Sequence, residues 1–178
     1  MEGVFLTLIG AAIFSQSWHI LGMYAEGRTM GIIVGALGLI SLSAIVLSPV
    51  VLTGQSMLIE ATVLKTLIAL WAVYALAVAA HGIWDLDERA IGFYSAFLAL
   101  ATLIPFIYFA VNLEPRYGTS VWLGLSASTL ILTILATVVF FYQAFMLSIL
   151  RLVSGWFLLL GGAVIGLIGV GIVSATIS

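Results

Sequence analysis

The residues suited to metal or thiol chemistry are few in this sequence and lie far apart. The chain of 178 residues has no cysteine and only two histidines, His19 and His81. Without cysteine, disulfides, thiolate metal sites and cysteine nucleophiles are excluded. Two isolated imidazoles so far apart along the chain do not predict a zinc site. We therefore expect neither a bound metal nor a disulfide.

Carboxylates stand together at one place, in the run Asp85, Leu86, Asp87, Glu88 and Arg89. A catalytic carboxyl pair needs one member whose pKa is raised by desolvation, and no feature nearby supplies that. The run is better explained as a solvated turn. No serine–histidine–aspartate arrangement, phosphate-binding loop or dinucleotide fingerprint occurs either. The sequence therefore predicts neither an enzyme nor a cofactor.

Uncharged polar residues within apolar segments are the remaining candidates. In the first segment Leu6, Ile9, Ile13, Gln16 and Ile20 follow the spacing of one helix face. A lipid-facing glutamine amide is costly, so Gln16 is expected to face protein or a pore. It could bind a polar solute, or it could form a helix–helix hydrogen bond worth about 0.6 kcal/mol. The helix–helix hydrogen bond is somewhat favoured. Leu6 and Ile13 lie on the same helix face as Gln16 and are candidates for the same lining.

A second stripe combines Trp71, Tyr74, Val78 and His81. An aromatic slot with one polar end suits a small planar neutral molecule. The alternative is anchoring at the membrane interface, where aromatic residues are common near helix ends. For His81 the interface, or a packed hydrogen bond, is the favoured interpretation.

Two further polar candidates are adjacent, Tyr142 and Gln143. Neighbours on a helix point about 100° apart, so at least one of them should contact another helix.

The apolar segments contain no Asp, Glu, Lys or Arg apart from Lys65 near an end. Ion-coupled carriers and voltage sensors place such groups at membrane depth. Their absence favours passage of an uncharged solute and, equally, a structural subunit with no pathway.

The elements that position these residues are predicted to be membrane-spanning helices. The chain is 64% hydrophobic and only 7% charged, whereas soluble domains carry about 25% charged residues. A span needs about 20 apolar residues. Six such helices are predicted, and they make residues 1–178 a single all-α membrane domain; the predicted ranges are 3–23, 30–50, 62–84, 90–111, 121–150 and 152–177. Six helices also fit two inverted three-helix units, although the letters show no convincing repeat.

Glycines predict how some of these helices pack. Gly162 and Gly166, like Gly31 and Gly35, form small-xxx-small steps that let two helices approach closely. Tight packing is the stronger explanation of these steps, ahead of space for a lumen.

Orientation follows from basic residues in the short loops. Arg28, Arg89 and Arg151 lie in alternate loops, against Lys65 and Arg116 in the others. The positive-inside rule then places both termini outside the cytoplasm.

The first apolar segment lacks a basic n-region and is expected to be a helix rather than a signal peptide. A net charge of −2 with no basic patch argues against nucleic-acid binding.

The junction of the third and fourth helices resembles the AmiS/UreI family of amide and urea channels. That family's junction has approximately the pattern Leu-Asp-x-Arg-x-x-Gly-aromatic-Tyr-x-x-Phe, with a proline further along. The matching residues here are Leu86, Asp87, Arg89, Gly92, Tyr94, Phe97 and Pro105. The N-terminal residues Gly3, Leu6, Gly10 and Gln16 are also similar, although family members often carry Asn in place of Gln16. The resemblance covers mainly residues 1–110.

This resemblance implies a six-helix protomer with its own pore, in a homo-hexameric ring in the inner membrane. It implies passive transport of urea or short-chain amides, with Leu6 and Gln16 near the pore lining. Two departures stand out. The family's late helices carry tryptophans that help form a constriction, whereas the fifth helix here has Trp122 only at its start. Gly161 stands where the family often has Glu in its last helix. The family's acid-gated branch uses periplasmic loop histidines, which these loops lack, so acid gating is not expected.

Three hypotheses follow. The first is a passive channel for small uncharged solutes such as urea or short amides. The second is a structural subunit of a larger membrane complex. The third is a small monocarboxylate channel of the acetate type, which is disfavoured because that family's Asn-Pro-Ala signature is absent. In every case lipids are the surrounding partner.

Overall fold

A computed structural model describes residues 2–23, 26–47, 55–111 and 119–174. These residues form six helices and no strand. The helices are α1 (Glu2–Leu21), α2 (Gly27–Leu47), α3 (Gln55–Trp84), α4 (Glu88–Val111), α5 (Thr119–Ala144) and α6 (Leu150–Val173). Each contains a stretch long and apolar enough to cross a bilayer. The all-α, six-helix membrane bundle predicted from the sequence is confirmed, and the chain is a multi-pass integral membrane protein.

Two helix ends differ most from the predicted ranges. Helix α3 begins at Gln55, so part of the predicted loop at 52–61 is helical. Helix α5 ends at Ala144 rather than near residue 150, and α6 begins at Leu150. The α5–α6 turn was missed because its apolar residues include neither glycine nor proline, while Met146 takes a left-handed φ of 52°. The predicted end of the second helix at Pro49 and the predicted turn at 112–120 lie largely outside the described residues.

The end of α1, the α3–α4 turn and the α5–α6 turn lie at the same end of the bundle. Arg151 Nε donates to the Ile20 carbonyl at 2.8 Å, which joins the end of α1 to the start of α6. The Arg89 guanidinium lies 3.1 Å from Met146 Sδ, which joins the start of α4 to the α5–α6 turn. Arg28 lies in the first turn of α2 at this end. We call it the arginine end, and the opposite end the terminal end.

Helices α1 and α6, like helices α2 and α3, make backbone contact through glycines. A methyl group built on Gly10 of α1 would come 2.4 Å from the backbone nitrogen of Gly166 and 2.7 Å from the Gly162 carbonyl oxygen of α6. One built on Gly31 of α2 would come 2.9 Å from the Ala79 carbonyl oxygen of α3. Helices this close need small residues at the crossing. The tight packing predicted from the small-xxx-small steps is therefore confirmed.

The bundle closes into a ring because each helix packs on its neighbours in sequence and α1 also packs on α6. Helices α1 and α3 touch each other as well, so α2 lies outside the gap between them. The buried members of the main apolar cluster accordingly come from α1, α3, α4, α5 and α6, with none from α2 among the described residues. Five helices thus surround the centre, and any route through the protomer would be lined by those five.

Candidate functional site

The inward face of α6 can be assigned from its contacts. Gly155 and Gly162 meet α1, whereas Gly161 meets Leu135 of α5. At 100° per residue, Ser154 and Leu158 project between these two directions, toward the bundle centre. Both are fully buried, at 0% and 1% exposure. The same reasoning applied to each helix identifies the side chains that line the interior.

A hydrogen-bonded pair lies between α1 and α3, toward the arginine end. Gln16 Nε2 lies 2.9 Å from the Tyr74 hydroxyl, and Gln16 Oε1 lies 3.1 Å from it. The hydroxyl is therefore placed to accept from the amide nitrogen or to donate to the amide oxygen. Both side chains are almost completely buried. The helix–helix hydrogen bond weighed for Gln16 is thus present, at the edge of the interior rather than facing lipid.

A second polar pair spans the middle of the bundle. Trp71 Nε1 of α3 donates to Thr102 Oγ1 of α4 at 3.1 Å. Trp71 also packs edge-on against Tyr74, with ring centroids 5.4 Å apart. The sequence did not identify Thr102 as a candidate, because a lone threonine in an apolar helix usually hydrogen-bonds to the backbone of its own helix. The two pairs form a continuous line of uncharged polar groups from α1 across α3 to α4.

Three buried polar atoms on the described parts of α5 and α6 have no hydrogen-bond partner. Among the described residues, Gln143 Oε1, Ser154 Oγ and Ser128 Oγ are buried and lack a hydrogen-bond partner. Most buried polar groups in proteins are paired, so each exception needs an explanation. Other buried hydroxyls do bond their own helix, as Ser95 does to the Ile91 carbonyl at 2.9 Å. Gln143 and Ser154 both lie near the arginine end.

The interior toward the terminal end is mainly apolar, although Ser128 of α5 is buried in that half. Leu6 of α1 and Leu64 of α3 are buried there. Phe109 of α4 packs edge-on against Trp122 of α5, with ring centroids 4.9 Å apart. Ile165 of α6 is completely buried toward the same end. The interior thus has a polar half at the arginine end and a mainly apolar half at the terminal end, which we call the apolar half. Among the described residues, no Asp, Glu, Lys or Arg is buried in either half.

The start of the junction motif builds the turn between α3 and α4. Asp87 Oδ1 accepts from the Arg89 backbone N–H at 3.0 Å and so caps α4. His81 lies at the end of α3, with Nδ1 against the Leu86 carbonyl and Nε2 3.4 Å from a Glu88 carboxylate oxygen. The histidine and the first motif residues therefore connect the two helices.

The rest of the motif packs α4 against its neighbours. A methyl group on Gly92 would come 2.3 Å from the Ala144 backbone nitrogen, so α4 and α5 touch there. The Tyr94 hydroxyl donates to the Leu70 carbonyl of α3 at 2.9 Å. Phe97 is exposed and contacts the Tyr94 ring, and Pro105 is buried inside α4. These motif residues determine how the helices pack and do not form the polar interior.

Comparison with solved structures identifies the fold. The chain is similar to the crystal structure of the urea channel from the human gastric pathogen Helicobacter pylori, with a TM-score of 0.64. The match covers 92% of this chain and 91% of that one, at 20% sequence identity. The chain has the urea-channel fold. No family model and no curated protein sequence matches it. The resemblance seen at the α3–α4 junction is therefore confirmed for the fold.

Six of the eight candidate residues face the interior of this urea-channel fold. They are Leu6, Ile13, Gln16, Trp71, Tyr74 and Gln143, all buried. His81 instead contacts the α3–α4 turn, which agrees with the packed hydrogen bond favoured for it. Tyr142 shares a face of α5 with Leu135, toward α6, and is half-buried. The residues that the sequence did not single out are Thr102 and Ser154, since only helix rotation distinguishes them from other hydroxyls.

Proposed function

We propose that this protein is a passive channel through which urea and similar small uncharged solutes, such as short-chain amides, cross the inner membrane. The observation that carries this proposal is the urea-channel fold built around an uncharged, partly polar interior. A neutral planar solute needs hydrogen-bond partners and aromatic walls, and Gln16, Trp71, Tyr74 and Thr102 provide both. A charged solute would find no compensating charge among these groups.

The proposed route runs along the bundle axis, between the five helices that surround the centre. A solute enters the polar half at the arginine end and must then pass the apolar half at Leu6. Because Leu6 is 1% exposed, the side chains of that half must move apart for a solute to pass. We therefore propose that the apolar half limits the rate. The positive-inside rule supports an orientation in which the arginine end faces the cytoplasm. The family resemblance supports assembly of the protomers into a homo-hexamer.

Osmotic experiments on proteoliposomes test the proposal. Purified protein is reconstituted, and vesicle reswelling is followed by light scattering after mixing with excess urea, acetamide or acetate. Urea and acetamide should enter faster than into empty vesicles, and acetate should not. Flux equal to that of empty vesicles for all three solutes would refute the channel.

A matched pair of substitutions tests where the solute passes. Leu6→Ala widens the apolar half, whereas Leu39→Ala removes the same atoms from a side chain that is 57% exposed on the outer face of α2. We expect Leu6→Ala to raise urea flux several-fold and Leu39→Ala to leave it unchanged, with both variants confirmed as folded by size-exclusion chromatography. Equal flux from the two variants would show that the route does not pass Leu6.

The alternative of a structural subunit makes a different prediction for purification. Helices that only support other subunits should copurify with unlike chains in a fixed ratio. A homo-oligomer of about six copies that conducts urea excludes that alternative.

A further inference from the structure

Two polar groups near the arginine end are buried without a partner, and they lie on adjacent helices. Gln143 is 5% exposed and Ser154 is 0% exposed, yet Gln143 Oε1 and Ser154 Oγ have no hydrogen-bond partner. A buried oxygen left unpaired is costly compared with one that is hydrogen-bonded. Neither group lies on an exposed face where lipid headgroups or bulk water would satisfy it.

Both groups project toward the bundle centre. Gln143 shares the face of α5 that carries Leu132 and Val139, both members of the main buried cluster. Ser154 projects between the α1-facing and α5-facing sides of α6, on the same side as Leu158. The two residues therefore face the interior that the five helices surround.

The two groups also lie at similar depth. Gln143 is the penultimate residue of α5, and Ser154 lies in the second turn of α6. Side chains on a helix lean toward its N-terminus, so Gln143 leans into the bundle and Ser154 leans back toward the arginine end. Because α5 and α6 are antiparallel, these directions converge.

The contrast with neighbouring polar groups argues against a purely structural role. The Gln16 amide is paired with Tyr74, and the Ser95 hydroxyl is paired with its own helix. Only on α5 and α6, among the described interior residues, do buried polar atoms lack a partner. An amide oxygen is an acceptor only, whereas a serine hydroxyl both donates and accepts. Together they match a solute that carries N–H donors beside a carbonyl acceptor, as urea and primary amides do.

We propose that Gln143 Oε1 and Ser154 Oγ form a binding site for neutral N–H donor solutes at the arginine end of the channel. Gln143 Oε1 accepts a solute N–H, and Ser154 Oγ accepts a second N–H or donates to the solute carbonyl. The proposal rests on the proposed function, because the ligand is the permeating solute. It adds which residues hold that solute first on the way from the arginine end.

The test combines flux with stability, in the full-length protein reconstituted or in detergent. Gln143→Met keeps the length of the side chain and removes its oxygen, and Ser154→Ala removes the hydroxyl. Each should lower urea flux at subsaturating concentration about fivefold, as expected for one lost hydrogen bond to the solute. Ser95→Ala, which removes an equally buried but paired hydroxyl, is the matched control and should leave flux within about twofold of wild type.

Stability separates solute binding from structural support. Because Gln143 Oε1 has no hydrogen-bond partner within the protein, Gln143→Met should unfold at the same temperature as wild type or higher. Gln16→Met, which leaves the Tyr74 hydroxyl without its partner, should unfold at a lower temperature. If Gln143→Met destabilises the protein as much as Gln16→Met does, the oxygen has an internal partner and the proposed site is wrong.

The flux results distinguish this proposal from the proposed function. Wild-type conduction with undiminished flux in both Gln143→Met and Ser154→Ala overturns the binding site and leaves the channel intact. A wild-type protein that passes no urea or acetamide overturns the channel and the site together. Reduced flux in both variants, with wild-type stability and an unaffected Ser95→Ala control, supports the site.

Discussion

Replacing Tyr74 with phenylalanine would remove the hydroxyl that holds the Gln16 amide and would leave the ring packing against Trp71 intact. The Tyr74 oxygen lies 2.9 Å from Gln16 Nε2, and Gln16 is only 4% exposed. Without the hydroxyl, the amide loses this partner in an apolar setting. An unsatisfied buried polar group costs about 1–3 kcal/mol, so Tyr74→Phe should destabilise the protein by an amount in that range.

The pair itself is measured by a double-mutant cycle. Gln16→Met and Tyr74→Phe each leave one polar group behind, whereas the double variant removes both. Membrane hydrogen bonds measured in this way average about 0.6 kcal/mol, with a maximum of about 1.7 kcal/mol. The double variant should therefore be more stable than the sum of the single losses predicts, by about 0.6–1.7 kcal/mol. The assay is reversible unfolding in mixed detergent micelles, followed by tryptophan fluorescence.

Additive losses would refute this account of the interior. If the double variant equals the sum of the singles within about 0.5 kcal/mol, Gln16 and Tyr74 are not energetically coupled. The hydrogen bond would then contribute nothing to stability, and Gln16 would have to be satisfied by some other group.

Two further outcomes follow from the packing. Gly162→Ala should lower the unfolding temperature clearly, because its methyl group would lie 2.6 Å from the Phe14 backbone nitrogen, whereas Gly166→Ala should be tolerated because its nearest atoms are 3.9 Å away. A thermal-unfolding comparison checks both, and equal losses would contradict the assigned α1–α6 contact. Arg151→Met should destabilise the protein by about 1–3 kcal/mol by leaving the Ile20 carbonyl unpaired. Arg28→Met, a matched charge removal on the same end, should cost less in the same assay.

The sequence determined the membrane-spanning class and the number of helices, because the hydrophobic requirement of a lipid bilayer is severe. A helix of about 20 apolar residues matches the thickness of the bilayer core, and with so few charged residues this chain could not keep six such helices in water. The sequence also determined that the spans lack charge, and glycine spacing identified a close helix contact at Gly162 and Gly166. Gln16 could be placed inside the protein because an amide in lipid is costly.

Helix rotation was decided only by the tertiary structure. In a membrane protein, the lipid-facing and inward-facing sides of a helix are both apolar, so the amphipathic pattern that orients a soluble helix is weak. For this reason the sequence left Tyr142 and Gln143 equivalent, and only packing turned Gln143 to the centre. For the same reason, the sequence did not identify Ser154 as an interior residue. It also made His81 a candidate, although His81 contacts Leu86 and Glu88 of the α3–α4 turn.

The position of α2 and the end of α5 also required the folded structure. All six segments are similarly apolar, yet α1 and α3 touch and leave α2 outside the interior. The α5–α6 turn near Met146 carries apolar residues without glycine or proline, so its local sequence does not mark it. Local composition fixed which segments enter the membrane, whereas contacts between helices distant in sequence determined which polar atoms meet at the centre.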